Sequence, residues 1–367
     1  MLVIDNDKVA ELLKVEDVIE VLHESYVDLA AGAGICRPRI DMRIPTGDGE
    51  SVYQWGTMEG GSARTGYFAI RMKSDILTEI ERDGNRTQEK YCTQPGTFCG
   101  LVLLFSVRNG EPLALINDGV LQHMRVAADS AIGVRYGANE FAPVLGMIGS
   151  GGMARSHVEA VLTVRDVKRV QVYSPTKANR ERFADEMSET FGLEAIAVNE
   201  PEDVYRGADI ISGCTDAVGP VVQGLYLNPG THVTCIGGRP DTDAFARFDR
   251  WLRLGDATMP HSNPALATRD ESISYIANDD DPVWQKHRHS NRSWRPPTDG
   301  SRVISLCQIL NGEASVRNGE NDITFSERGN SQGAQFHAVA GLIYEKARAE
   351  GIGREIPTDW LLQDIRD

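Results

Sequence analysis

Residues 145–157 read LGMIGSGGMARSH, an apolar run, then a glycine-rich turn, then the start of a helical pattern. Gly149, Gly151 and Ala154 are spaced as GxGxxA. Each small residue has a physical reason to be there. Gly149 permits the tight turn, Gly151 lets backbone N–H groups approach a pyrophosphate, and Ala154 lets helix and strand pack closely. The helix N-terminus adds unpaired donors and a positive dipole end. Gly152 and Met153 belong to the same turn and join the expected cofactor contacts. The string alone is weak. Its position after a strand and before a helix makes it a dinucleotide-binding signal rather than a glycine-rich turn of another α/β fold.

Outward from this stretch the pattern repeats. APVLGMIG, RVQVYS, EAIAV, ADIISGC and THVTCIG are five apolar segments separated by helical ones, MARSHVEAVLTV, KANRERFADEMSETF and PEDVYRG. Such alternation predicts a doubly wound parallel sheet of Rossmann type, an α/β fold. The ends of the fourth and fifth strands place Thr215 and Gly237 as further cofactor contacts.

Before residue 143 the pattern differs. DVIEVLHESYVDLAAGAG from Asp17 is an amphipathic helix with Asp17 and Glu20 spaced as a capping box and Gly32 near its stop. Residues 35–73 give short apolar runs broken by Pro and Gly, the mark of a mixed or antiparallel sheet. Residues 74–97 are charged and read as a surface excursion. FCGLVLLFSVRNGEPLALIND predicts a hairpin turning at Asn109-Gly110, with positive φ at both positions. Asp118 is placed to cap the helix GVLQHMRVAADSAIGVRYG, and 265–300 reads as a long polar insertion or loop that includes HRHSNRSWRPP at 287–297.

Composition narrows the function classes. With 38 Lys plus Arg against 53 Asp plus Glu the net charge is −15, the wrong sign for tracking a phosphate backbone, so no nucleic-acid partner is expected. No apolar run is long enough to span a membrane, and the start of the chain lacks a signal-peptide apolar region. Six cysteines without a CxxC pair predict reduced thiols, no metal site and a cytoplasmic location.

The end of the second strand bears on the coenzyme. An NAD site usually carries Asp or Glu there for the ribose hydroxyls. Here RVQVY is followed by Ser174, Pro175, Thr176, Lys177 and, one turn on, Arg180. Hydroxyls and cations favour NADP(H), with NAD(H) possible; the alternative is that Lys177 and Arg180 are ordinary surface charges.

GMIGSGGMARSH, VQVYSPTKANRERFADEM, GADIISGCTD, LNPGTHVTCIG, DGVLQHMRVAADSA and ITFSERGNSQGAQFHAVAGLIYEKA together resemble successive blocks of the ornithine cyclodeaminase/mu-crystallin family. The resemblance implies a Rossmann domain over 128–332, and a second α+β domain for substrate binding and dimerisation built from both chain ends, 1–127 with 333–367. It also implies a homodimer. It places the clamp for a substrate carboxylate at Arg39 in RPRIDMRIP, Lys73 in AIRMKSD and Arg125 in LQHMRVAAD. Two guanidiniums and an ammonium suit an amino or imino acid, because Arg binds a carboxylate bidentately while a Lys beside cations gives up its proton readily.

One departure is informative. Ornithine cyclodeaminases carry an acid after the glycine pair that follows the fifth strand, to activate the distal amine for ring closure. Here Gly237, Gly238, Arg239, Pro240, Asp241 stand in that place, similar to mu-crystallin, whose activity is ketimine reduction. Asp241, or Asp243 beyond it, is the remaining acid within reach of the site. The expectation is an NAD(P)H-dependent reduction of an imine beside a carboxylate, or the reverse oxidation of an amino acid. The rivals are a cyclodeaminase using the coenzyme catalytically and a non-catalytic coenzyme-binding carrier.

Overall fold

The computed structural model describes residues 1–82, 85–217, 219–255, 267–269, 272–277, 280, 282 and 300–365. Its central sheet runs Glu194–Ala197, Arg169–Tyr173, Val144–Ile148, Ile210–Gly213, His232–Cys235, Thr324–Glu327, Arg250–Arg253, Val303–Ser305, and every neighbouring pair is parallel. The first five strands, in sheet order, are third, second, first, fourth and fifth along the chain. This is the Rossmann arrangement, and the order reverses beside Val144–Ile148, where a crevice opens at the strand ends. Successive residues on one strand enter different cores, the period of two expected of a sheet covered on both faces. Ile210 packs with Leu145, Val158 and Phe183, whereas Ile211 packs with Val233, Phe245 and Phe325.

The second domain is a mostly antiparallel sheet whose main path is Ala267–Arg269, Ser272–Ile276, Arg39–Pro45, Val52–Ser62, Tyr67–Arg82, Cys99–Ser106, Pro112–Asn117, Leu2–Ile4 and Arg354–Glu355. Both chain ends enter it. Leu2 pairs with Glu355, and the amino terminus donates to the Ile356 carbonyl at 2.8 Å. Helices Val15–Ala30 and Gln332–Glu350 cover one face and bury Val18, Leu22, Phe336 and Ile343. The closing helix reaches the sheet backbone to backbone. A Cβ on Gly60 would lie 2.5 Å from the Gly333 carbonyl carbon, and one on Gly333 would lie 1.8 Å from the Glu59 oxygen.

Four local expectations are corrected. Within 74–97 the strand Tyr67–Arg82 continues and Asn85–Tyr91 pairs back on it, so this part is a hairpin arm. Within 265–300, Ser272–Ile276 is a strand parallel to Arg39–Arg43, so part of the expected loop joins the end-domain sheet; the stretch 287–297 lies outside the described residues. At Asn109-Gly110 only Gly110 has positive φ, at 77°, and the Gly110 N–H donates to Ser106, which makes a longer loop than the two-residue turn. Asp118 makes no side-chain cap. The Asn117 and Asn6 side chains accept from the Gly119 and Val120 N–H groups instead, at 2.9 and 2.8 Å.

Gly333→Ala forces the closing helix off the sheet and lowers stability by about 2 kcal/mol or more, the scale of overpacking in a well-packed core. Gly319→Ala, whose added Cβ meets nothing nearer than 4.0 Å, leaves stability within about 0.5 kcal/mol. Urea denaturation of the two variants checks the contrast.

Candidate active site

The glycine turn has the shape its sequence calls for. Gly149 has φ +113°, and a Cβ there would lie 2.1 Å from the Cys214 carbonyl oxygen, so the first and fourth strands approach too closely for a side chain. Gly151 precedes helix Gly152–Val164 and has open space beside it, Met153 is half-buried and Ala154 fully buried. A Cβ on Gly237 would lie 1.9 Å from the Thr215 oxygen. Together these positions form a bare-backbone cradle at the strand ends, which fits a dinucleotide.

The residues after the second strand play different parts. Ser174 is buried and accepts from the Ser150 hydroxyl at 2.8 Å. Thr176 and Lys177 are exposed, with the Lys177 ammonium 3.6 Å from Glu181. Arg180 is buried, and its guanidinium donates to the Ser174 and Pro175 carbonyls and to Asn199 Oδ1 at 3.1–3.3 Å. It braces the loop and is neither a surface charge nor a free phosphate ligand.

The second half of the site is a row of charges on the end-domain sheet. Strand periodicity puts Arg71, Lys73 and Asp75 on one face of Tyr67–Arg82, and all three are buried. The Lys73 ammonium donates to Asp75 Oδ2 at 2.6 Å, and Arg71 Nε donates to Asp118 Oδ2 at 2.6 Å. Two strands away, on Arg39–Pro45 beyond Val52–Ser62, the Arg39 guanidinium binds Asp41 Oδ1 at 2.7–2.8 Å. The two residues directly opposite Lys73 are glycines. A Cβ on Gly56 would lie 2.7 Å from both Asp41 Oδ1 and Lys73 Cε, and one on Gly100 would lie 1.9 Å from Asp118 Oδ1. Burial, then Arg39, lowers the Lys73 pKa to about 7 against the opposing pull of Asp75 and Asp41. An ammonium in this setting exchanges its proton near neutrality.

Arg125 lies on helix Gly119–Gly137, fully buried, with its guanidinium carbon 4.7 Å from the Phe336 ring centre; Arg71 approaches the same ring at 5.6 Å. It donates to Gln335 Oε1 at 2.6 Å and to Gln122 Oε1 at 2.8 Å. Gln335 in turn donates to the Tyr26 hydroxyl at 2.8 Å, and Tyr26 donates to Asp129. Burial, then Arg328 and Arg71, lowers the Arg125 pKa to about 9, so it stays charged at neutral pH.

The profile of the ornithine cyclodeaminase/mu-crystallin family matches residues 85–351. The chain belongs to that family. It is 28% identical over 261 residues to the Delta(1)-pyrroline-2-carboxylate reductase of Bacillus cereus, covering 71% of this chain and 74% of that one. It is 29% identical over 173 residues to the ketimine reductase mu-crystallin of Rattus norvegicus, covering 47% of this chain and 51% of that one. A solved structure of the Thermococcus litoralis Delta(1)-pyrroline-2-carboxylate reductase, in complex with NADH and L-proline, shares the fold with a TM-score of 0.73 at 21% identity, over 97% of this chain and all of that one.

Among the residues expected from the family pattern, the structure brings Arg39 and Lys73 together, with Arg125 near Arg71 at the end of the same row. Asp241 takes another part. Its Oδ1 accepts from the Ala244 and Gly224 N–H groups at 2.7 and 3.0 Å, capping helix Thr242–Arg247, so the carboxylate is engaged in holding that turn. Arg239 and Asp243 are exposed. Sequence reasoning missed Arg71, Asp118, Asp75 and the Gln335–Tyr26–Asp129 relay. Arg71 and Asp75 had a signal, since each lies two residues from Lys73 on a strand. The relay joins residues far apart in the chain and had none. Among the described residues no three His, Cys, Asp or Glu side chains gather to hold a metal ion.

Burial raises the Asp129 pKa from 3.8 to about 6, so the folded state binds a proton that the unfolded chain has released. Stability therefore falls as pH rises from about 4 to about 6, by up to roughly 3 kcal/mol. Asp129→Asn removes this slope, and urea denaturation across that pH range checks it.

Proposed function

We propose that this chain uses a reduced nicotinamide dinucleotide to reduce a C=N bond adjacent to a carboxylate, forming an α-amino acid, and also runs the reverse oxidation. The observation that carries the reading is the buried Lys73 ammonium, flanked by two glycines and set in a row with Arg39, Arg71 and Arg125. A neutral or metal-bound substrate has no use for so many converging cations, whereas an imino acid presents both a carboxylate to hold and a nitrogen to protonate.

Bound at the glycine cradle, the coenzyme supplies the hydride. The protein's own groups do the rest. Arg125, held by Gln335 and Gln122, and Arg39, held by Asp41, orient the substrate carboxylate. Lys73, aligned by Asp75, gives its proton to the nitrogen as the carbon is reduced and takes it back in the oxidation. Relatives named as pyrroline-carboxylate and ketimine reductases support a cyclic imino acid as the substrate class. NADPH is the preferred coenzyme, because Ser174, Thr176 and Lys177 follow the second strand with no carboxylate to repel a 2′-phosphate, and NADH also serves. The cyclodeaminase reading loses its base, since Asp241 is spoken for as a helix cap. A non-catalytic carrier leaves the proton-exchanging Lys73 without purpose.

The six cysteines are free thiols, which fits a reducing compartment such as the cytoplasm, and no helix among the described residues is long and apolar enough to cross a membrane. Exposed Met42 and Ile44 on the Arg39–Pro45 strand, with exposed Tyr275 in register beside Met42, support a homodimer formed through this sheet. Light scattering at the dimer mass is the expected result, and the monomer mass overturns it.

The activity test offers NADPH or NADH with cyclic imino acids, and ornithine as control. Stoichiometric coenzyme oxidation with an imino acid, faster with NADPH, is expected, with no proline formed from ornithine. Lys73→Ala and Arg125→Ala each lower kcat/KM by at least about a hundredfold, near 2.7 kcal/mol of transition-state stabilisation. In the reductive direction kcat/KM falls as pH rises through about 7, where Lys73 loses its proton, and in the oxidative direction it climbs over the same interval. Ammonia and proline appearing from ornithine without net coenzyme reduction overturns the reading.

A further inference from the structure

We propose that His123, on the helix that carries Arg125, binds the pyrophosphate of the dinucleotide from the side opposite the glycine turn, so that the coenzyme is held by both domains. The inference rests on the dinucleotide reading of that turn and adds a residue that the GxGxxA pattern does not contain. A Cβ built on Gly152, the first residue of the phosphate-loop helix, would meet His123 Cε1 at 3.3 Å and Nδ1 at 3.8 Å and nothing else nearby. Beside it, Gly151 faces open space. The imidazole therefore borders the volume into which the first N–H groups of the helix point. Those of Gly152 and Met153 have no partner within the helix, whose ladder begins with Ala154 and Arg155 donating to Gly151.

The ring is available. His123 is exposed, and among the described residues neither of its nitrogens is hydrogen-bonded. The contrast is His157 on the helix it faces, which is fully buried, engaged with the Met153 carbonyl at 2.7 Å and Ser130 Oγ at 3.0 Å, and held neutral by burial, with its pKa near 4. Arg155, on the same helix, is turned to Glu186 and the Ser150 carbonyl. The charged groups around His123 are thus few. Asp118, at the start of its own helix, favours the imidazolium, but that carboxylate is already paired with Arg71, and partial desolvation where the ring lies against Gly152 outweighs it and holds the pKa below 6.5.

An arriving diphosphate changes that balance. It carries charge that does not titrate between about pH 5 and pH 8, so its approach raises the His123 pKa and the complex takes up a proton. By linkage, affinity increases as pH falls through the window between the free and bound pKa values, and a rise of one unit on binding makes the limiting gain about tenfold.

The experiment is a fluorescence titration of NADH, chosen because it lacks a titrating 2′-phosphate, with ADP-ribose as a competitor that contains the diphosphate without the nicotinamide. Wild-type protein is compared with His123→Gln and His123→Lys, each checked for folding by circular dichroism, at about pH 8 and about pH 5.5. For both ligands the wild type binds tighter at the lower pH, by up to about tenfold. His123→Gln is flat and matches the weak limb, and His123→Lys is flat and matches the tight limb. An equal pH slope in the wild type and His123→Gln overturns the assignment while leaving the dinucleotide site intact. Absence of NADH and NADPH binding by the wild type overturns the dinucleotide reading and the inference with it.

Discussion

Three successive inward positions on one strand, Arg71, Lys73 and Asp75, are charged and almost completely buried, and much of the surrounding structure follows from satisfying them. An ionised group taken out of water costs several kcal/mol unless it is paired and hydrogen-bonded. Asp118 is drawn from the start of a helix to meet Arg71, and Asp75 meets Lys73. Room for these groups is made by Gly56 and Gly100, where any side chain would collide with a carboxylate or with the Lys73 side-chain methylenes. The cap that Asp118 does not provide is supplied by Asn117 and, from the short helix Asn6–Leu12, by Asn6. A chain of compensations thus runs from one strand face to the amino-terminal segment, and removing a single partner leaves a buried charge uncompensated.

The helix Gly119–Gly137 transmits this order to the coenzyme half. Its first turns hold Arg125 over Phe336, and its middle presents Ala127, Ala128 and Ala131 to the end-domain core. Its last turns lie against the central sheet, where a Cβ on Gly133 would be 2.3 Å from Ser326 Oγ and one on Gly137 would be 2.4 Å from the His232 ring. A boundary drawn between residues 127 and 128 passes through the middle of this helix. Because one rigid element belongs to both halves, the cation row and the glycine cradle are held in a fixed relation, as a reaction between two bound groups requires.

The central domain was legible because its signals are local: a period of two, strand–helix alternation, and glycines whose places are set by backbone geometry. Lys73 stood out for the same reason, as a lone ammonium in an apolar run, and the structure buries it. The errors arose where a local rule competed with a distant partner. Asp118 has the right type and place for a helix cap and is taken by Arg71 instead, whereas Asp241, expected as a base, obeys the capping rule. Arg180 had the right position for a phosphate ligand, but nothing in its sequence neighbourhood reveals that three oxygens from its own loop and from Asn199 already occupy it. Charge density misled in the same way at 74–97, where the charged residues sit on the two paired strands of a hairpin arm.

The same row explains why the acid of the proposed reaction need not be fixed in one protonation state. Burial and the Arg39 guanidinium hold Lys73 down, while Asp75 and Asp41 hold it up, and the balance falls near neutrality. A substrate carboxylate accepted among Arg39 and Arg125 adds negative charge beside the ammonium and offsets the guanidinium that depresses it. Substrate binding and protonation of Lys73 are then coupled, and by reciprocity the protonated site binds the anionic substrate more tightly. Without a carboxylate, a bound carbonyl or imine meets a lysine biased toward its neutral form, which cannot complete the reduction. In the proposed reaction, selectivity for an acid next to the reacting carbon thereby resides in the proton as well as in the guanidinium clamp. That is a use for buried charge which a set of surface cations, screened by water and salt, has no means to provide.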